Sequence, residues 1–211
     1  MKNYLVILVF VALTADGTDN KYYEAMGQHI NTVYKAQTTD ELLGAVNALD
    51  RIGQAEKSKW EPFYYGAFGY LMMANREKEV SRKDGYLDQA LERVRQAAAQ
   101  SKDNSEISAL EGFVHMLRVT VDPATRGQQY SGLSMQAFGK ALKQDPNNPR
   151  AMGLMAQMQF GTAKFFGSST EEACGMAKKA LQLFESAGSQ NPLAPRWGKE
   201  MTAVLAKNCN P

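Results

Sequence analysis

Histidine and cysteine are the scarcest chemistry-bearing residues of this 211-residue chain: His29 and His115, Cys174 and Cys209, and no others. None stands in a Cys-x2-Cys or His-Glu-x2-His arrangement. No calcium loop, Walker-type glycine loop or Gly-x-Ser-x-Gly element occurs either. A metal centre, a phosphate cradle and an activated nucleophile therefore all lack their residues. No catalytic residue, metal ligand or cofactor is assigned, and the chain reads as non-enzymatic. His115, among Phe113, Val114 and Met116, reads as a core or groove histidine rather than a base. Charge of one sign is also missing. With 24 basic and 22 acidic residues and no long block of either, the net charge is +2. Nucleic acid and anionic membrane surfaces, which call for a basic stripe, are not favoured as partners. Arg76 to Arg82 mixes both signs and reads as a solvated loop between helices. Alternating strand patterns are absent, and helical periodicity is everywhere, so an all-α chain is expected.

Long apolar runs are lacking too. The longest, Leu5 to Leu13, is too short for a span that needs about 20 residues in a helix. Preceded by Lys2 and followed by the small residues Ala15-Asp16-Gly17, it has the layout of a secretory leader over 1–17. The expectation is export to a periplasmic or extracellular compartment, with 18–211 as the mature domain and no stable membrane span.

Helices are expected at 19–36, 39–56, 62–75, 86–101, 105–121, 128–144, 149–165, 170–188 and 195–208. Thr38 with Glu41 and Ser168 with Glu171 have capping-box spacing. Pro62, Pro149 and Pro195 sit at or beside first helical positions, where a missing N–H costs nothing. Asp145 to Pro149 and Asn191-Pro192 must be turns.

Two interleaved series give these helices an order. Gly27, Gly69, Gly112 and Ala156 follow one another after 42, 43 and 44 residues. From the following helices, Ala45-x3-Leu49-x2-Ile52, Ala90-x3-Val94-x2-Ala97, Ser134-x3-Phe138-x2-Ala141 and Ala180-x3-Phe184-x2-Ala187 answer them. A shared period of about 44 means stacked helical hairpins, with small residues where two helices must approach closely. Four hairpins are expected, at 19–58, 62–102, 105–146 and 149–192, with 195–208 as a terminal cap.

The last two members of the second series, closed by Pro146 and Pro192, resemble the second half of a tetratricopeptide repeat. Tyr23, Tyr65, Ser108 and Met152, each four before a small residue, resemble its first half more loosely. The resemblance implies an α-solenoid whose first helices line a concave face. Its period of about 44 exceeds the family's 34, and the extra residues fall around Asn75–Gly85, Asp122–Gly127 and Phe166–Ser169.

In that register the concave positions include Tyr70, Met73, Phe113, Met116, Gln157 and Phe160, an apolar and aromatic middle flanked by amides. They are the candidate partner-binding residues; the alternative is that they pack on one another in a tight bundle. The set of Lys and Asn that such arrays use to clamp a terminal carboxylate is absent. If 170–188 and 195–208 form an antiparallel hairpin, Cys174 and Cys209 both stand about 21 Å from its turn, given a rise of about 1.5 Å per residue. A disulfide is the natural pairing, and two unrelated thiols the alternative. The function expected is a protein or peptide interaction scaffold; the second reading is a carrier of a small apolar ligand enclosed by the array.

Overall fold

The computed structural model describes residues 16–186, 188 and 191–209. Most of the expected leader, and Ala187 of the second series, lie outside the described residues. Within them run nine helices and no strand: α1 (Asp16–Lys35), α2 (Thr39–Ala55), α3 (Glu61–Arg76), α4 (Val80–Gln100), α5 (Ser105–Val119), α6 (Pro123–Gln144), α7 (Pro149–Phe166), α8 (Glu171–Ser186) and α9 (Lys199–Asn208). None is long and apolar enough to cross a membrane.

Consecutive helices form hairpins, and each odd-numbered helix also packs on the next odd one, from α1 through α3 and α5 to α7 and α9. The even helices α2, α4, α6 and α8 make no such contacts among themselves. The array therefore curves, with odd helices crowded on the inner side and even helices fanned outside. This is the tetratricopeptide-like solenoid that the period implied.

Side-chain chemistry sets most boundaries. Thr38 and Glu41 form the expected capping box at the start of α2. Asn148 caps α7 by accepting from the Ala151 N–H, and Pro149 takes the first position. Besides α1, which runs from Asp16 rather than from 19, two helices start well before their expected positions. α4 begins at Val80 because the Glu79 carboxylate accepts from the Ser81 and Arg82 N–H groups. α6 begins at Pro123 because Asp122 accepts from Thr125. Much of the extra length in these two repeats is thus helix, not loop, and Ser81 and Arg82 are helical. The Ser168–Glu171 box does not form: Ser169 accepts from the Glu171 N–H, while the Ser168 hydroxyl donates back to the Ala163 carbonyl. Pro195 does not open a helix, since α9 starts only at Lys199 after Gly198, whose φ of 103° suits glycine.

The small-residue series marks true crossings in the middle of the array. A Cβ on Gly69 would meet Val46, and one on Gly112 would meet the Phe138 ring. Ala156 is buried against Ala177 and Leu205. Gly27 departs from the pattern, because a Cβ there would meet nothing within 4 Å. The buried stripe of α1 runs through Tyr22, Met26, Ile30 and Val33, leaving Gly27 on its shoulder. Cys174 and Cys209 are joined, with Cα atoms 5.6 Å apart, so the start of α8 is tied to the end of α9.

Candidate ligand-binding face

The inner side of the array is built by α1, α3, α5 and α7, and its middle is filled from within. Residues 191–198, ahead of α9, cross that side and are held there by polar contacts. Tyr65 donates to the Leu193 carbonyl at 2.7 Å, Trp197 Nε1 donates to the Tyr64 hydroxyl at 3.0 Å, and the Arg196 N–H donates to Tyr34 at 3.0 Å. The Arg150 guanidinium reaches the Pro195 carbonyl at 3.1 Å. The Trp197 ring stacks with both Phe68 and Phe113, with centroids 5.1 and 5.6 Å away. Burial, and then the neighbouring Tyr34, push the Tyr65 hydroxyl well above its ordinary range, so it stays a neutral donor.

Beneath this segment lies a polar anchor. The Glu106 carboxylate takes a bidentate pair from Arg150 at 2.6 and 2.7 Å and a third bond from Asn148 at 2.9 Å. All these side chains are mostly buried, so the pair is well shielded, and its directional bonds fix how α5, α7 and the crossing segment meet.

The candidate residues divide accordingly. Phe113 is 3% exposed under Trp197, Met73 and Met116 lie in the core, and Tyr70 is buried with its ring under the Arg93 guanidinium, 4.4 Å from centroid to Cζ. Arg93 is itself held by Asp50 of α2. In the middle of the face the structure matches the packing alternative: the chain's own segment covers Phe113, and Tyr70 faces α4. Gln157 and Phe160 differ, the first exposed and the second half-buried, both on α7. His115 is buried, stacked on Tyr130 with centroids 6.1 Å apart, and its Nδ1 has no hydrogen-bond partner. Burial, then Arg118 and Arg95, hold its pKa below the ordinary histidine value.

Sequence reasoning misses the end of α7. Phe165 and Phe166 are 81% and 74% exposed, with rings edge to face at 5.0 Å. The available signal is an adjacent aromatic pair before Gly167, which caps α7 with φ of 64°. The repeat frame assigns those positions no partner, so the pattern alone does not single them out. Two surface clefts hold about 250 and 270 Å³, below the range of about 300–1,000 Å³ usual for small-molecule sites. Among the described residues no cluster of His, Cys, Asp and Glu could hold a metal ion.

Fold and inner face together define a helical-repeat protein of the tetratricopeptide-like type. No family model matches the sequence. No curated protein matches it either. Among solved structures the chain is similar to the HusA haemophore from Porphyromonas gingivalis, with 28% identity and a TM-score of 0.79 over 92% of this chain and 95% of that one. It is also similar to a thermophilic TPR protein of Thermus thermophilus, with 15% identity and a TM-score of 0.51 over 90% and 91% of the two chains, a likeness of fold alone.

Proposed function

We propose that this protein is an exported, non-catalytic carrier of a flat apolar ligand of the haem class. The observation that carries the reading is the similarity to a haemophore along nearly the whole length of both chains. Two features agree with it. The Cys174–Cys209 bridge suits an oxidising compartment, as does the leader-like start. The exposed phenylalanines of α7 offer an aromatic surface of the kind that flat rings stack on. The second reading of the sequence places such a ligand inside the array, but Trp197 and its neighbours fill the middle of that space. The carrier then works with a surface.

Titration of the purified protein with haem, followed in the Soret band, tests this. A saturable shift with micromolar or tighter affinity is expected; a merely linear rise in absorbance would defeat the reading. The scaffold reading keeps one observation of its own, that the inner face already holds a non-helical segment, Leu193 to Trp197, in the manner of a bound peptide.

A further inference from the structure

On a helix, residues four, seven and eight apart share one side, which places Gln157, Gly161, Lys164 and Phe165 together along the outer end of α7. All four are exposed, and half-buried Phe160 borders them. A Cβ at Gly161 would meet nothing within 4 Å, so the surface between Lys164 and Phe165 is a flat shelf of backbone with open space above it. Phe166 stands against Phe165 at its end. Folding alone gives no reason for two adjacent phenylalanines to be this exposed, and apolar surface left uncovered marks an interaction site.

Charge selects what the surface accepts. α7 contains no Asp or Glu and has two cations, Arg150 and Lys164. Arg150 is committed to Glu106. Lys164 makes a cation–π contact with Phe160, 5.6 Å from the ring centroid, and among the described residues no ion pair. The opposite flank of α7 opens on the 270 Å³ cleft, which is lined by Glu172 and too small for a large ring system. An anionic planar molecule is therefore drawn to the Lys164 flank. Two phenylalanines offer about 150–250 Å² each, well short of the roughly 800 Å² per partner of a stable protein interface, so a second copy of the chain fits poorly. A lone lysine is also a weak hold on an anionic membrane.

We propose that the outer end of α7 is the ligand site. The flat conjugated ring stacks on Phe165 over Gly161, with Phe166 bracing Phe165 edge to face, and a carboxylate of the ligand pairs with Lys164. This rests on the carrier reading above and adds to it the place and the two points of recognition.

Haem and its dimethyl ester are the probes, read by Soret titration of the full chain. The double variant Phe165→Ser/Phe166→Ser should bind haem about tenfold or more weakly with an unchanged melting temperature, since it removes both the stacking ring and the ring that braces it. Wild type should bind the ester several-fold more weakly than haem, and Lys164→Gln should erase that difference. Haem binding by the double variant equal to wild type overturns the site while leaving the carrier intact. No binding by wild type overturns both. Should the double variant fold poorly, the ester comparison on wild type decides alone, because equal affinity for acid and ester refutes the Lys164 contact. Loss of self-association or of phosphatidylglycerol vesicle binding in the double variant, with haem binding retained, would reassign the surface and sink the proposal.

Discussion

Phe113 and Phe165 are both phenylalanines on odd-numbered helices, and their surroundings are opposite. Phe113 is 3% exposed, stacked under Trp197 in the middle of the inner face; Phe165 is 81% exposed on the last turn of α7. The segment that covers the first reaches α7 near its start, through Arg150, whereas Phe165 and Phe166 stay exposed at the far end. A repeat array offers every helix a similar inner side, so it is the connection between α8 and α9 that decides which part becomes core and which stays available. In this protein the middle of the inner face has become core, and exposed aromatic surface stands at the end of α7.

The sharpest way to break this contrast is to unplug the middle. Trp197→Ala should cost roughly 3–5 kcal/mol, because a ring stacked on Phe68 and Phe113 and bonded to Tyr64 is replaced by a cavity. Phe113→Ser should cost roughly 2–5 kcal/mol by the same reasoning, whereas Phe165→Ser should stay within about 0.5 kcal/mol of wild type, as surface changes do. Chemical denaturation of the three variants checks this. Equal losses at 113 and 165 would abolish the distinction between the two regions.

Cutting the staple comes next in size. The bridge from Cys174 to Cys209 closes a loop that contains the whole crossing segment. By the chain-entropy estimate its loss costs roughly 3–4 kcal/mol, a model-dependent figure. Thiol labelling of the denatured, unreduced protein should find no free sulfur, and Cys174→Ser/Cys209→Ser should melt at a clearly lower temperature. An unchanged melting temperature would mean that Trp197 and its hydrogen bonds hold the segment without the bridge.

The repeat period was legible because close crossings force small residues, as Gly69 facing Val46 and Gly112 facing Phe138 make plain. The disulfide was legible for a less secure reason. The expected hairpin assumed that α9 begins at Pro195, yet the pairing survives a start at Lys199, since the two cysteines remain at comparable distances from the ends of their helices. What the sequence hid was the path of 191–198. A short stretch with Leu193, Pro195 and Trp197 has no periodicity, so nothing local says that it lies across α1, α3 and α5. Only contacts such as Tyr65 to Leu193, 128 residues apart, place it there. The concave register names which side chains face inward, not what else arrives to cover them, so it leaves groove and packed middle as alternatives. Phe165 and Phe166 escape the pattern because the repeat ends where they begin.

The smallest expected effect separates the two regions by pH. His115 belongs to the packed middle, and its folded pKa lies below the ordinary value through burial, with Arg118 and Arg95 adding repulsion. His29 shifts the same way, through burial and Arg51. The folded state thus binds fewer protons than the unfolded one between the lowered folded values and the unfolded value of about 6.5. Stability should therefore rise with pH through that window and level off above about pH 7. Residues 157–166 of α7 contain no histidine, so this loss falls on the core and not on the aromatic end. Urea unfolding at pH 5.5 and 7.5 should show lower stability at the acid pH, and His115→Gln should flatten the difference, leaving a remainder from His29. A His115→Gln variant with the full wild-type pH slope would show that the proton is taken up elsewhere, and that the unpaired Nδ1 of His115 does not mark the middle as the acid-sensitive half.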